Sequence, residues 1–132
     1  VLVVGASGGV GTAGVQLLRG MGAKDIVGVC SGKNAKMVTE LGCTEVCDYT
    51  KENFWEKYDF QGKKFDFVLD TVSGSEVSWP TGPQVDHKAD CVRVLNLQEN
   101  PKAKVVAANG GAWDWTKCLF TPARWHRRRQ HA

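Results

Sequence analysis

The stretch Val1-Leu2-Val3-Val4-Gly5-Ala6-Ser7-Gly8-Gly9-Val10-Gly11-Thr12-Ala13-Gly14-Val15-Gln16-Leu17-Leu18 decides how this chain is read. Four aliphatic residues in a row predict a buried strand, and the glycines after them a tight turn. Val10, Gly14, Leu17, Leu18 and Met21 then fall on one face of a helix. Strand, glycine turn and helix, in that order, suit a dinucleotide pyrophosphate. Residues without Cβ let the backbone approach the anion, and the free N–H groups and positive end of the helix meet its charge. Gly5, Gly8, Gly9 and Gly11 stand where that role requires them. Glycines also serve ordinary turns, so the context matters: a second apolar run, Ile26-Val27-Gly28-Val29-Cys30, arrives where a nucleotide-binding unit makes its ribose contact.

At 132 residues, with 42% hydrophobic and 23% charged, the chain suits one globular domain with a sizeable core. No apolar run reaches the roughly 18 residues of a membrane span, and nothing at the start resembles a signal peptide. Opening on Val1, already inside a strand, leads us to expect a piece of something longer. The formal charge of +3 includes Arg124, Arg127, Arg128 and Arg129; without them the balance is about −1. The body is nearly neutral and the basic residues read as a solvated tail over 116–132, with no nucleic-acid partner expected. Cys30, Cys43, Cys47, Cys91 and Cys118 are odd in number and lack C-x-x-C spacing, which suits reduced thiols in an intracellular, cytoplasmic compartment. No metal site is expected: Cys43 and Cys47 lie in a turn and strand, and His87, His126 and His131 are read as exposed loop or tail residues.

In chain order, the first helix should stop near Gly20 to Gly22 and strand two should run from Asp25 to Cys30. Ser31 reads as the N-cap of a helix carrying Met37, Val38 and Leu41, with Gly42 as its stop. No Asp or Glu closes strand two; Cys30-Ser31-Gly32-Lys33 stands there, with Asn34 next. A hydroxyl, an ammonium and an amide suit a ribose 2′-phosphate better than a free 2′-hydroxyl, so the sequence favours NADPH over NADH. Strand three is Glu45-Val46-Cys47, leaving through Asp48-Tyr49. A helix from Lys51 to Tyr58 carries Phe54, Trp55 and Tyr58 as core and edge residues. Strand four is Phe65 to Asp70, a loop covers 75–84, and a helix from Asp86 to Leu97 uses Val92, Leu95 and Leu97. Strand five is Lys104 to Ala108, followed by the turn Asn109-Gly110-Gly111. This alternation predicts an α/β fold of Rossmann type, a doubly wound parallel sheet cut short after about five strands, over residues 1–115.

With those residues laid out, the chain resembles the nucleotide-binding domain of the medium-chain dehydrogenase/reductase superfamily, nearest its zinc-independent quinone oxidoreductase-like branch. The resemblance is carried by Gly5 to Gly11 with Ala13, Val15, Gln16 and Leu17, by Cys30-Ser31 with Asn34, by Leu41-Gly42 and Asp48-Tyr49, by Asp70-Thr71-Val72, and by Asn109-Gly110-Gly111. It implies that Gly8, Gly9, Val10 and Gly11 lie along the pyrophosphate and that Ser31, Lys33 and Asn34 surround the 2′-phosphate. Tyr49 would contact the adenosine end, Thr71 would approach the nicotinamide-side ribose, and Asn109 and Gly110 would border the same crevice. Read without the resemblance, Tyr49 is equally a half-buried strand residue, and Thr71 equally a strand-end residue bonding backbone. Such enzymes pass hydride to a quinone or an enone-type carbonyl compound. The resemblance places most of their substrate pocket in a preceding domain that this sequence lacks, so catalysis is expected only of the parent protein, which is compatible with a homodimer.

Two other functions were weighed. A short-chain dehydrogenase/reductase shares the opening glycines but needs an Asn-Ala-Gly turn after strand four and a Tyr-x-x-x-Lys pair, and both are absent. A non-catalytic NADPH-binding module or sensor needs only the glycine turn and the phosphate-binding residues.

Overall fold

The computed structural model describes residues 1–72 and 87–108. The order is β1 (Leu2–Val4), α1 (Gly9–Gly20), β2 (Val27–Cys30), a 3₁₀ turn (Gly32–Asn34), α2 (Ala35–Leu41), β3 (Glu45–Asp48), α3 (Phe54–Gln61), β4 (Phe67–Asp70), α4 (His87–Arg93) and β5 (Lys104–Ala107). All five described strands run parallel in the order β3-β2-β1-β4-β5. β1 lies at the centre, and chain direction along the sheet reverses beside it, between β1 and β4. That is the α/β doubly wound arrangement expected.

The sheet divides the core into two layers. Leu2, Val4, Val27, Val29 and Cys47 face Phe54, Trp55, Tyr58, Phe65 and Cys91 on one side, while Val3, Cys30 and Ile26 face Val15, Val38 and Cys43 on the other. Leu2, Val3 and Val4 are fully buried, so a strand of three residues is covered on both faces, at about 1.5–3 kcal/mol per large side chain. Phe54, Trp55 and Tyr58 are core residues, as expected; Tyr58 meets Phe65 edge to face at 5.2 Å.

The expected apolar face of α1 holds in part. Gly14 and Leu18 pack toward the sheet as expected, joined by Gly11 and Val15, whereas Val10, Leu17 and Met21 are 50%, 67% and 82% exposed. A Cβ on Gly14 would come 2.5 Å from Leu69 Cδ2, so this face lies tight against β4. The buried stripe is centred on Gly11, Gly14, Val15 and Leu18, to one side of the stripe that periodicity selects. The helix expected from Asp86 to Leu97 is also shorter. It ends at Arg93 because the backbone then bonds to Phe65, Phe65 N–H to Val94 and Asn96 N–H to Phe65 at 2.8 Å each. Val94 and Leu95 are buried by that bridge, whereas Val92 and Leu97 are exposed. Strand four starts correspondingly later, at Phe67. The expected loop over 75–84, the turn Asn109-Gly110-Gly111 and the tail lie outside the described residues. Among the described residues no helix is long and apolar enough to cross a membrane.

Candidate functional site

The carboxyl ends of β1, β2, β3 and β4 form one rim of the sheet. β1 leaves through Gly5 at φ 81°, a left-handed conformation that suits glycine. There the N–H groups of Gly5 and Ala6 both donate to the Val29 carbonyl at 3.0 Å. Gly8 N–H turns back onto the Gly5 carbonyl at 3.2 Å, and α1 starts at Gly9.

The glycines of this turn fall into two kinds. A Cβ on Gly11 would collide with the Gly5 carbonyl oxygen and come within 2.8 Å of Ala6 Cα, which is backbone against backbone. A Cβ on Gly5 would strike the Thr71 hydroxyl. Those two positions are small because the fold requires it. Among the described residues, none outside its own helix and chain neighbours comes within 4 Å of such a Cβ on Gly9, and Gly8 meets only the Gly5 carbonyl at 3.6 Å. Both are exposed. The first turn of α1 carries no acid and its N-cap, Gly8, offers no side chain. The helix therefore presents its early N–H groups and positive dipole end toward the open side of Gly8 and Gly9.

At the end of β2, Ser31 is buried and precedes the 3₁₀ turn. Its hydroxyl caps no helix, contrary to expectation; it accepts instead from Asn34 Nδ2 at 3.2 Å. Ser31, Gly32, Lys33, Asp48, Tyr49, Thr50 and Lys51 line one cleft of about 450 Å³. The expected Ser31, Lys33 and Tyr49 thus stand together, with Asn34 fastened to Ser31.

Asp48 was missed. The sequence shows no acid closing β2, but the parallel register sets Cys30 beside Asp48 and brings that carboxylate against Gly32. Hydrogen bonds from Thr50 hold Asp48 below its ordinary range, the hydroxyl at 2.6 Å and the N–H at 3.0 Å, with Gly32 N–H adding to them. The acid is ionised, and its charge is met by these donors on the wall of the cleft.

Thr71 sits at the end of β4. Its hydroxyl donates to the Val4 carbonyl at 2.7 Å, and its N–H reaches the same oxygen at 3.1 Å. The proton is engaged in clamping β4 to β1, leaving only hydroxyl lone pairs for any ligand. Asn109 and Gly110 lie outside the described residues. One residue further back, Asp70 is 2% exposed and meets His87 Nε2 at 2.9 Å. His87 opens α4, and its side chain is 11% exposed. The expectation of a solvent-exposed loop histidine is corrected, because α4 docks this ring over the end of β4.

Comparison with known proteins adds the following. The family described as zinc-binding dehydrogenase matches residues 9–109. The mouse (Mus musculus) mitochondrial NAD(P)H oxidoreductase RTN4IP1 is 44% identical over 78 residues, 59% of this chain and 19% of that protein. The chloroplastic quinone-oxidoreductase homolog of spinach (Spinacia oleracea) is 31% identical over 121 residues, 92% of this chain and 33% of that protein. The crystal structure of Escherichia coli quinone oxidoreductase complexed with NADPH superposes with a TM-score of 0.54 at 22% identity, covering 83% of this chain and 37% of the other, a likeness of fold. The chain thus spans about a fifth of one and about a third of the other of these two curated relatives.

Proposed function

The chain belongs to the zinc-binding dehydrogenase family, as a quinone oxidoreductase-like member of the medium-chain dehydrogenase/reductase superfamily, and we propose that the nicotinamide dinucleotide it binds is NADPH. Its residues form the nucleotide-binding domain of an oxidoreductase. The dinucleotide site is supported by Gly8 and Gly9, which the described residues leave uncrowded, and the preference for NADPH is carried by the cleft that Ser31, Lys33 and Tyr49 line. Gly8, Gly9 and Val10 would receive the pyrophosphate at the uncapped end of α1, and Gly11 would keep that turn closed.

The choice of NADPH rests on the second cleft. Ser31, Lys33 and Asn34 would hold the 2′-phosphate, with Tyr49 beside the adenosine. Asp48 opposes a phosphate, but Lys33 and Lys51 line the same cleft, two positive charges against one, and the carboxylate is already bonded by Thr50 and Gly32. A phosphate dianion is therefore favoured there.

When bound, NADPH would supply hydride, to a quinone or enone-type carbonyl acceptor in the parent protein, and this branch is proposed to need no zinc for that transfer. The chain's own contribution is to orient the dinucleotide across the reversal between β1 and β4. Thr71 and the turn at Asn109 and Gly110 would lie at the nicotinamide end. The 132 residues by themselves would bind without turning over. Buried free thiols at Cys30, Cys43, Cys47 and Cys91 suit a reducing compartment. The names of the mouse and spinach relatives place those proteins in mitochondria and chloroplasts, so the cytoplasm is not preferred.

The test is titration of the chain with NADPH and NADH, followed by tryptophan quenching. NADPH should saturate at lower concentration, and Ser31→Asp should remove that preference. Equal affinities, or a preference for NADH, would end the NADPH reading while leaving the dinucleotide site intact. Oxidation of NADPH by a quinone in the presence of the parent protein, and its absence with the isolated chain, tests the assignment of catalysis.

A further inference from the structure

We propose that Asp70, His87 and Cys91 form a binding site for one divalent transition-metal cation of zinc's kind, fastening α4 to the end of β4. The three side chains each turn one ligand atom to a common point, and these atoms all lie within 4.8 Å of one another. His87 Nε2 is 2.9 Å from Asp70 Oδ1 and 3.6 Å from Cys91 Sγ. A tetrahedral zinc with ordinary bond lengths would set its nitrogen and sulfur ligands about 3.6 Å apart and its nitrogen and oxygen ligands about 3.4 Å apart. The first separation is already met, the Asp70–His87 pair would open by about half an ångström, and the Asp70–Cys91 pair, within 4.8 Å here, would settle at about 3.6 Å.

The placement follows from the fold. His87 and Cys91 are four residues apart on α4, so their side chains project from one helix face. Asp70 ends β4 directly beneath that face, and its Oδ1 also accepts from Val72 N–H at 3.0 Å, which fixes the carboxylate. Phe54 lies edge-on to the His87 ring at 6.3 Å. Asp70 is 2% and Cys91 0% exposed, so the three polar groups converge inside the apolar layer that α3 and α4 make with the sheet.

The chemistry of the donors also favours a cation. Carboxylate, imidazole and thiolate all offer lone pairs to such an ion. Binding would release the Cys91 proton to solvent, and the fourth position would go to water or the second Asp70 oxygen. The group is buried, which suits a structural site.

The experiment uses the full 132-residue chain, stripped with chelator and titrated with Co²⁺, then with Zn²⁺. Expected are one ion per chain, a thiolate-to-cobalt charge-transfer band that Zn²⁺ bleaches, and a rise in melting temperature with Zn²⁺. Cys91→Ser should abolish the band, and His87→Gln should weaken binding by roughly tenfold or more. Should either variant fail to fold, the spectrum of the unmutated chain still decides. No thiolate band there, or metal bound undiminished in both variants, would overturn the site and leave Asp70 and His87 as a buried hydrogen-bonded pair.

Discussion

The carbonyl oxygen of Gly5 occupies the space that a Cβ on Gly11 would need, so the turn between β1 and α1 closes only with glycine at the second position. Gly9, two residues earlier, is under no such constraint from the described residues. Gly11→Ala should therefore destabilise the chain by about 3 kcal/mol or more, since backbone cannot yield as a flexible side chain can. Gly9→Ala should leave stability unchanged or slightly higher, because alanine suits a helix better than glycine. Thermal melts of the two variants check this, and equal losses would contradict the division.

Lys33 is exposed in the cleft that also holds Ser31 and Tyr49. Lys33→Glu should weaken NADPH by roughly tenfold or more through its 2′-phosphate, with a much smaller effect on NADH. Parallel titrations at two salt concentrations should show the NADPH difference shrinking as salt rises.

Three surface carboxyls are shifted in the same direction. For Glu45, burial pushes the pKa up, but hydrogen bonds from Tyr58 and Lys63 outweigh it and leave it lowered. Asp25 behaves likewise with Thr44 and Lys63, and Asp59 is lowered by Lys64 and Arg93. A carboxyl whose pKa is lower folded than unfolded binds more protons when unfolded. Its stabilisation is complete above the ordinary values of 3.8 and 4.5 and is lost as the pH falls through the folded values. The melting temperature should hold between neutrality and roughly pH 5, then fall steeply below about pH 4.

Tyr58 carries the most consequential of these contacts. Its ring is fully buried and its hydroxyl donates to Glu45 Oε1 at 2.9 Å. Tyr58→Phe should cost about 1.5 kcal/mol, in the range of a hydrogen bond to a charged group. It should also raise the Glu45 pKa, so that acid unfolding begins at a higher pH than in the unmutated chain.

The alternation of strand and helix was legible because apolar runs and glycine stops are local signals. The parallel, doubly wound character of the sheet followed from that alternation. The buried stripe of α1 was legible only in Gly14 and Leu18, since Val10, Leu17 and Met21 look as apolar as Val15, which the close fit of Gly14 on Leu69 turns to the sheet. Asp48 escaped notice for a different reason: its place beside Gly32 depends on the register of β3 against β2, which no local pattern reports. His87 is similar. Its burial comes from α4 docking on the end of β4, a contact made across sixteen positions of chain from Asp70. Gly8, Gly9, Ser31 and Lys33, proposed to face phosphate, could be singled out because they lie just after strands, where a glycine turn or a missing acid can be read directly.

The most direct measurement is a calorimetric titration of the 132-residue chain and of Gly9→Val with NADPH, each melted under the same conditions. The account predicts saturable binding at one site in the unmutated chain and its loss in Gly9→Val, whose melt remains cooperative and near that of the original. A cooperatively melting chain that binds no NADPH, or a Gly9→Val variant that binds as well as the original, would contradict it.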